Sequence, residues 1–280
     1  PYGAIFLDGK PATGLAFFLQ SYDKRKQYTT GLTLDHKIGE HFNQRLAVGY
    51  DFNQVTASYF GPLGFWGEPR GEYSETEWSH WTTSIDYGAN YKRAFRGGDI
   101  STATSAGSQM ANDVDKKLRL GVIDFPAPVD VPTLVFGSIR SLAGDDRRRV
   151  VNGGFFFQEM LGFKDKLFVT AGMRIDGNST FGKDFGMQLY PKLSASYILS
   201  DMSWWPDWSE SFKLRAAMCE AGKAPGAFDA VRSWAPVAAK EGKPAFTPAT
   251  VGDPNLGPER TREYEVGFDA SFLQGRLTSE

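Results

Sequence analysis

The sequence has 280 residues, a formal net charge of −2, one cysteine and three histidines. This charge balance gives no electrostatic reason to expect a nucleic-acid partner. The set of Cys219, His36, His41 and His80 is too small for an internal disulfide or for the usual zinc sites, and we expect no metal. No run of about 18 apolar residues is present, which excludes a transmembrane helix.

Alternation of apolar and polar residues recurs along the chain, whereas helical spacing is almost absent. In the stretch 44–55, for example, Leu46, Val48 and Tyr50 alternate with charged or small residues. The pattern predicts about ten strands, at 13–21, 28–37, 44–58, 80–94, 99–110, 149–161, 167–176, 189–199, 211–221 and 259–272. The segment 99–110 gives the weakest pattern, because it is rich in Ser, Thr and Ala.

The connections between the predicted strands alternate in length. Short connections are predicted at 38–43, 96–99, 162–166, 201–210 and 274–275, and long ones at 59–79, 111–148, 177–188 and 222–258, with a shorter one at 22–27. Every second connection of an up-and-down sheet lies at the same end, so one end carries tight turns and the other long loops. This asymmetry is typical of outer-membrane barrels. The sequence therefore predicts an all-β fold, an antiparallel up-and-down transmembrane β-barrel segment.

The two sides of the predicted strands have different chemistry. Hydrocarbon cannot hydrogen-bond a backbone, so a sheet spans a bilayer only when its edges are closed. Side chains towards lipid must then be apolar, as predicted for the odd-numbered positions of 83–91, and side chains towards the lumen can be charged. The charged residues predicted to face the lumen are Asp86, Lys92, Arg174, Arg215, Glu263, Glu265 and Asp269. A soluble antiparallel sheet with one solvated face remains an alternative.

Four segments of the second half resemble, in order, the barrel of TonB-dependent outer-membrane receptors, in particular the SusC/RagA-like branch. They are "FKDKLFVTAGMRIDGNSTFG" (163–182), "YPKLSASYILSD" (190–201), "FKLRAAMCEAGKAPGAF" (212–228) and "NLGPERTREYEVGFDASFLQGRLT" (255–278). Cys219–Glu220 and Gly222–Lys223 depart from the family pattern. Residues 1–150 fit the topology but carry no matching motif.

The resemblance implies that this chain supplies about ten strands of a roughly 22-stranded barrel, an open curved sheet when taken alone. Residues 1–280 are then expected to be part of one barrel domain, with the plug domain and the TonB box absent. The implied function is import of a scarce or bulky ligand (glycan, peptide or siderophore) across the outer membrane of a Gram-negative bacterium, with energy coupled from the inner membrane. No covalent chemistry and no cofactor are implied.

The implied partners are outer-membrane lipid, the TonB complex through the missing N-terminal region, a surface lipoprotein lid and the ligand. Aromatic residues of the predicted external loops are candidate ligand contacts: Phe60, Phe65, Trp66 and Trp234. Two other functions remain open from the sequence. One is a passive porin-like channel, and the other is a soluble β-rich carbohydrate-binding module.

Overall fold

The computed structural model describes residues 6–7, 10–11, 19–65, 68–182, 186–206, 209–273 and 275–279. The strands are β1 (Phe6–Leu7), β2 (Lys10–Pro11), β3 (Gln20–Ile38), β4 (Phe42–Gly61), β5 (Glu72–Phe95), β6 (Ile100–Ile123), β7 (Ile139–Phe163), β8 (Leu167–Asn178), β9 (Gln188–Ile198), β10 (Ser209–Lys223), β11 (Ser233–Ala238), β12 (Pro244–Thr250), β13 (Glu259–Phe272) and β14 (Leu277–Ser279). Short 3₁₀ turns occur at Arg96–Gly98 and Lys240–Gly242. Within the described ranges, no helix is long and apolar enough to cross a membrane.

Ten strands form one open sheet in the order β14-β13-β10-β9-β8-β7-β6-β5-β4-β3. Neighbours in space are neighbours in sequence, except that the β11–β12 hairpin is inserted between β10 and β13. The pairs from β7 to β10, and those of β13 with β10 and β14, are antiparallel. The all-β, antiparallel, up-and-down prediction is therefore confirmed.

The predicted alternation of short and long connections is found only in part. At one end the connections 39–41, 96–99, 164–166 and 273–276 have three or four residues, but 199–208 has ten; at the other end 124–138 and 224–258 are long, whereas 62–71 and 179–187 have ten and nine residues. Gly39, Lys164, Asp165 and Gly275 have positive φ in three of the short turns, where the chain reverses tightly.

Several predicted boundaries were wrong. The connection at 22–27 is part of β3, and the long loops predicted at 59–79 and 111–148 are shortened by the extended β5, β6 and β7. The Glu72–Glu77 stretch of β5 is polar on both sides and shows no apolar alternation. The β6 extension does alternate, with Leu118, Leu120 and Val122 at every second position, and the prediction missed this pattern. Residues 13–18 of the first predicted strand lie outside the described residues.

Contact density divides the chain into two compact units. The first comprises Pro1–Thr30, Gly49–Thr83 and Asp113–Arg149. Its apolar core is small: Phe60, Val122 and Phe125 are buried, and Leu63, Tyr73, Val129 and Phe136 pack against them. The Phe60 and Phe125 rings stack at 6.2 Å between centroids. This cluster holds the connections 62–71 and 124–138 against their strands.

The second unit comprises Gly31–Val48, Ser84–Asn112 and Val150–Glu280. Its strands have an apolar face, which we define by residues that the register places side by side. They are Leu167, Val169, Ala171, Met173 and Ile175 of β8, Leu189, Leu193, Ala195 and Tyr197 of β9, Leu214, Ala216 and Met218 of β10, and Tyr264, Val266 and Phe268 of β13. The alternate residues of the same strands form the polar face.

The large side chains of the apolar face are exposed, not packed. Val266 is 84% exposed, Leu193 is 51% exposed and Met173 is 49% exposed. Ile85 of β5, predicted to point outwards, is 44% exposed, and Val169 is only half-buried. No side chain of the described residues is completely buried. These strands therefore do not form a sandwich around an apolar core.

Candidate ligand-facing surface

The register across β8, β9, β10 and β13 places several of the predicted charged residues on one face. Residues directly opposite each other on neighbouring strands share a face. The pairs are Arg174 with Tyr190, Gly172 with Lys192, Lys192 with Cys219, Ala217 with Glu265, Cys219 with Glu263, and Lys213 with Asp269. Arg215 alternates with Lys213 and Ala217, so it lies on this face too. The polar face thus carries Arg174, Arg215, Glu263, Glu265 and Asp269 together.

Asp269 is the centre of an ion-pair cluster on this face. Lys213 Nζ lies 3.2 Å from Asp269 Oδ2, and Arg215 Nη2 lies 3.2 Å from Asp269 Oδ1. All three side chains are about one-third to two-fifths exposed, so each pair is worth little by itself. The cluster places two cations of β10 beside one carboxylate of β13 on the polar face.

Arg174 organises a second cluster on the polar face. Its Nε donates to Asp176 at 2.7 Å, and its Nη1 donates to Gln109 Oε1 at 2.6 Å. Gly154 of β7 lies opposite Asp176 and leaves the space that the carboxylate fills. A cavity of about 410 Å³ opens beside these groups and is lined by Asp86, Asn152, Asn178 and Tyr190 as well. Amide, carboxylate, guanidinium and phenol groups therefore converge on one concave site.

Asp86 and Lys92 lie on the same side of β5, because they are an even number of residues apart. Asp86 lines the cavity beside Arg174. Lys92 lies nearer the turn at 96–99 and is exposed, and its backbone N–H donates to the His41 carbonyl at 2.8 Å. The structure thus brings Asp86, but not Lys92, to the Arg174 cluster.

A polar network in the first unit was not predicted from the sequence. Asp115 Oδ1 lies 2.8 Å from His80 Nδ1, and Asp115 Oδ2 accepts from Arg148 Nε at 2.9 Å. Thr82 donates to Asp113 at 2.6 Å, and the Trp78 ring stacks on His80 at 5.9 Å between centroids. The sequence does contain a pattern that could have located it. Trp78, His80 and Thr82 are spaced two residues apart in line with Ser84 and Asp86, so they share one face of the strand, and Trp78 lies before the predicted start at residue 80.

Glu220 is the centre of a further cluster that the sequence did not predict. It accepts from Arg260 at 2.7 Å and from Arg262 at 3.2 Å, and its side chain is only 8% exposed. Arg260 also donates to Gln188 Oε1 at 2.6 Å and lies over the Tyr190 ring. Glu220 is one of the positions that depart from the family pattern. Through Arg260, its carboxylate connects β9, β10 and β13 at the strand ends next to the long connections.

The candidate aromatic contacts have different environments. Phe60 lies in β4, not in a loop, and is 5% exposed within the apolar core of the first unit. Phe65 is also buried, and Trp66 lies outside the described residues. Trp234 lies in β11 opposite Pro248 and is 55% exposed. Of the three candidates within the described residues, Trp234 is the one whose ring is exposed and could contact a ligand.

Across the described ranges of the chain, no group of three or more His, Cys, Asp or Glu side chains is arranged to hold a metal ion. The carboxylates of Asp269, Asp115 and Glu220 are each paired with Lys or Arg side chains. The chemistry of these clusters is therefore that of hydrogen bonding and ion pairing.

Comparison with protein families gives a match over almost the entire chain. The family model described as "TonB dependent receptor-like, beta-barrel" matches residues 2–279. The TonB-dependent receptor P39 of Formosa agariphila is 27% identical over 118 residues, which are 41% of this chain and 11% of that protein. The chain thus spans a small part of the length of this relative.

Solved structures show the same arrangement of strands. The RagAB peptide transporter superposes with a TM-score of 0.87 at 16% identity, over 99% of this chain and 31% of that chain. FpvA of P. aeruginosa, in complex with a heterologous pyoverdine and iron, superposes with a TM-score of 0.54 at 13% identity, over 90% of this chain and 31% of that chain. At these identities the similarity shows the fold and not the ligand.

Proposed function

This chain belongs to the TonB-dependent receptor-like β-barrel family, and from that we propose that it forms part of the wall of an outer-membrane receptor that imports a scarce or bulky ligand. Residues 1–280 are proposed to lie within one barrel domain. The energy for import would be coupled from the inner membrane through the TonB complex. A protein of this kind binds and translocates its ligand.

The observation that carries the proposal is the exposure of the apolar face. Large side chains such as Leu193 and Val266 are exposed on strands whose other side is charged. In water this arrangement would leave a large apolar surface uncovered. In a bilayer the same surface is covered by acyl chains, and the alternation matches that of transmembrane barrels.

The polar face is then proposed to line the lumen. Asp86, Lys92, Arg174, Arg215, Glu263, Glu265 and Asp269 would face water and passing ligand. The cavity beside Arg174 offers hydrogen-bond donors and acceptors close to the Tyr190 ring. We propose that this cavity and Trp234 contact the ligand.

The ligand class is proposed from similarity and from the site. The RagAB structure is described as a peptide transporter, and a peptide or a glycan would match the amides, carboxylates and guanidinium of the cavity. A ferric siderophore is the next candidate. The whole receptor is proposed to work in a Gram-negative outer membrane with a surface lipoprotein as its lid.

Uptake of labelled ligands tests this function directly. The gene for the full-length protein is deleted in its source bacterium, and uptake of labelled oligosaccharides, peptides and ferric siderophores is compared with that of the parent. We expect loss of uptake for one class, and equal loss in the parent after a protonophore collapses the inner-membrane gradient. Uptake that persists with the protonophore would indicate a passive channel instead. Recovery of the protein in the soluble fraction would contradict the membrane function.

A further inference from the structure

A cluster of two lysines and two neutral hydrogen-bonding side chains lies on strands β3 and β4 of the first unit. Its members are Lys24 and Lys26 of β3 and Gln54 and Thr56 of β4, and we call it the donor cluster. These residues occupy the ends of the two strands that are remote from the short turn 39–41. They have no part in the proposed function.

Contacts between β3 and β4 fix the alignment of the donor cluster. Thr29 donates to Asp51 at 2.5 Å, and Ser58 donates to the Tyr22 carbonyl oxygen at 3.4 Å. Two further contacts nearer the short turn follow the same alignment. Residues that lie directly opposite each other share a face. The opposite pairs that result are Lys26 with Gln54 and Lys24 with Thr56.

The donor cluster continues the exposed apolar side of β3. Tyr28, Leu32 and Leu34 are exposed on this side, with Leu32 60% exposed. Lys26 and Lys24 are the next two residues on the same side, because side chains of a strand alternate. The proposed function covers such apolar side chains with acyl chains. The donor cluster then begins directly beyond the part of β3 that lies in hydrocarbon.

Tyr28 marks the boundary between the apolar and the basic parts of this side. Tyrosines are enriched where a membrane meets water. The Tyr28 ring lies 6.4 Å from the ring of Tyr50 on β4, and both are exposed. Lys26 and Lys24 follow at about 7 Å and about 13 Å along the strand. Their ammonium groups are therefore within reach of lipid headgroups.

The side chains of the donor cluster are of the kind that binds phosphate. The two ammonium groups offer charge-assisted hydrogen bonds to an anionic oxygen. The amide of Gln54 and the hydroxyl of Thr56 offer neutral hydrogen bonds beside them. Four side chains on two adjacent strands can thus donate to the oxygens of one headgroup.

No carboxylate competes for the lysines on their own two strands. The residues of this side from 22 to 28 and from 52 to 58 are Tyr, Lys, Phe, Gln, Thr or Ser. Among the described residues, neither lysine is in an ion pair. On β5, Glu75 and Glu77 accept hydrogen bonds from residues of their own strand. The positive charge of the donor cluster is therefore open to an external anion.

We propose that the donor cluster binds the phosphate headgroup of a lipid in the outer leaflet of the membrane. The inference rests on the proposed function, because it requires the apolar side of β3 to lie in acyl chains. The acyl chains of the bound lipid cover Leu32 and Leu34, and its phosphate accepts from Lys24 and Lys26. Binding of this kind sets the height of the receptor in the bilayer.

Titration of the full-length receptor in detergent with diphosphorylated lipid A tests the site. Native mass spectrometry measures the bound fraction. Lys24→Gln/Lys26→Gln removes both charges, and we expect the Kd for lipid A to rise roughly tenfold or more. Added salt should weaken binding to the parent more than binding to this variant, because exposed charges are screened.

Arg25→Gln/Lys37→Gln is the matched control. It removes the same charge from the same strand, but odd-numbered residues of β3 lie on the other side, as Thr29 does. The Kd of this variant for lipid A should equal that of the parent. Equal losses in both variants, or no loss in either, would overturn the proposed site. Heat-dependent gel mobility checks that each variant is folded.

Inorganic phosphate separates a lipid site from a site for free phosphate. An excess should displace little lipid A, because the acyl chains also contact the protein. Complete displacement would contradict the lipid assignment. A receptor that imports its ligand but does not bind lipid A overturns this inference alone. Recovery of the protein in the soluble fraction overturns the proposed function as well.

A gain of affinity provides a second measurement. Thr56→Lys adds a third cation opposite Lys24, and we expect the Kd for lipid A to fall about fivefold. Loss of folded protein cannot produce tighter binding, so this result would be specific to the site. Unchanged or weaker binding by the Thr56→Lys variant would contradict the proposal.

Discussion

Arg174 and Gln109 are joined by a hydrogen bond of 2.6 Å although the whole of strand β7 lies between their strands. The contact is possible because β7 has Gly154 opposite Asp176, where no side chain blocks the polar face. Arg174 can then hold Asp176 with one nitrogen and Gln109 with another. A side-chain network thereby links β6 and β8 of the candidate ligand-facing surface across the intervening β7.

Replacing Gly154 by Ala should disrupt this network. A Cβ at Gly154 would lie 1.9 Å from Asp176 Oδ1 and 2.9 Å from the Ile175 carbonyl oxygen, so the carboxylate must move. We expect a loss of about 1–3 kcal/mol in the free energy of unfolding, measured by urea titration of the refolded full-length protein. Gly153→Ala is the control, because its Cβ meets only the Gln109 carbonyl at 3.6 Å. Equal losses for both variants would mean that the space beside Asp176 is not needed.

The orientation of the sheet in the bilayer is tested by adjacent residues of β13. Val266→Arg places a guanidinium on the apolar face and should destabilise the protein by up to about 2–4 kcal/mol near the membrane centre. Glu265→Arg places the same group on the polar face and should change stability by less than about 0.5 kcal/mol. The measurement is the folded fraction in lipid vesicles, read from heat-dependent gel mobility. The opposite ranking would show that the two faces are assigned the wrong way round.

Trp234→Ala should weaken ligand binding without altering the fold. The ring is exposed on the hairpin of β11 and β12, and aromatic contacts of this size often contribute most of a binding site's energy. We expect a roughly tenfold or greater rise in the Kd of the full-length receptor for its transported ligand. Val237→Ala alters the other side of the same strand and should leave the Kd unchanged. Equal affinity of the Trp234→Ala variant and the parent would remove this residue from the proposed site.

Asp115→Asn should be more damaging than a similar change at an exposed ion pair. Asp115 is 17% exposed and bonds to both His80 and Arg148, so the substitution leaves the half-buried His80 and the exposed Arg148 without their shared carboxylate. We expect a loss of about 1–3 kcal/mol. Asp145→Asn, in the exposed pair with Arg147, should cost about 0–1 kcal/mol. Urea titration of both variants checks the difference.

The strands of the second unit were predictable because one side is apolar. For β8, β9, β10 and β13 the predicted bounds lie close to those observed. In each of these strands an apolar residue, such as Val169, Leu193 or Val266, occupies most of the alternate positions. The charged residues between these apolar positions must then lie on the other face. Alternation fixes which residues share a face, without any knowledge of the neighbouring strand.

The clusters and the outer parts of the long strands could not be predicted in the same way. Stretches such as Glu72–Glu77 and Asp145–Arg149 are polar on both sides, and the pattern is indistinguishable from that of a solvated loop. The Arg174–Gln109 contact depends on register across three strands and on the empty space at Gly154. The apolar–polar alternation of one strand does not reveal which residues of the neighbouring strands lie beside it.

The uninterrupted pairing of Ser211–Lys223 with Glu259–Ser271 has a consequence for how genes of this type can change length. Deleting the Phe212 codon of β10 would move Lys213 and Arg215 to the apolar face and Leu214 and Ala216 to the polar face, because each residue beyond the deletion changes side. Removing two neighbouring codons would preserve the sides and only shorten the strand. Odd-numbered insertions and deletions should therefore survive in connections such as 224–258 and be eliminated from the strands.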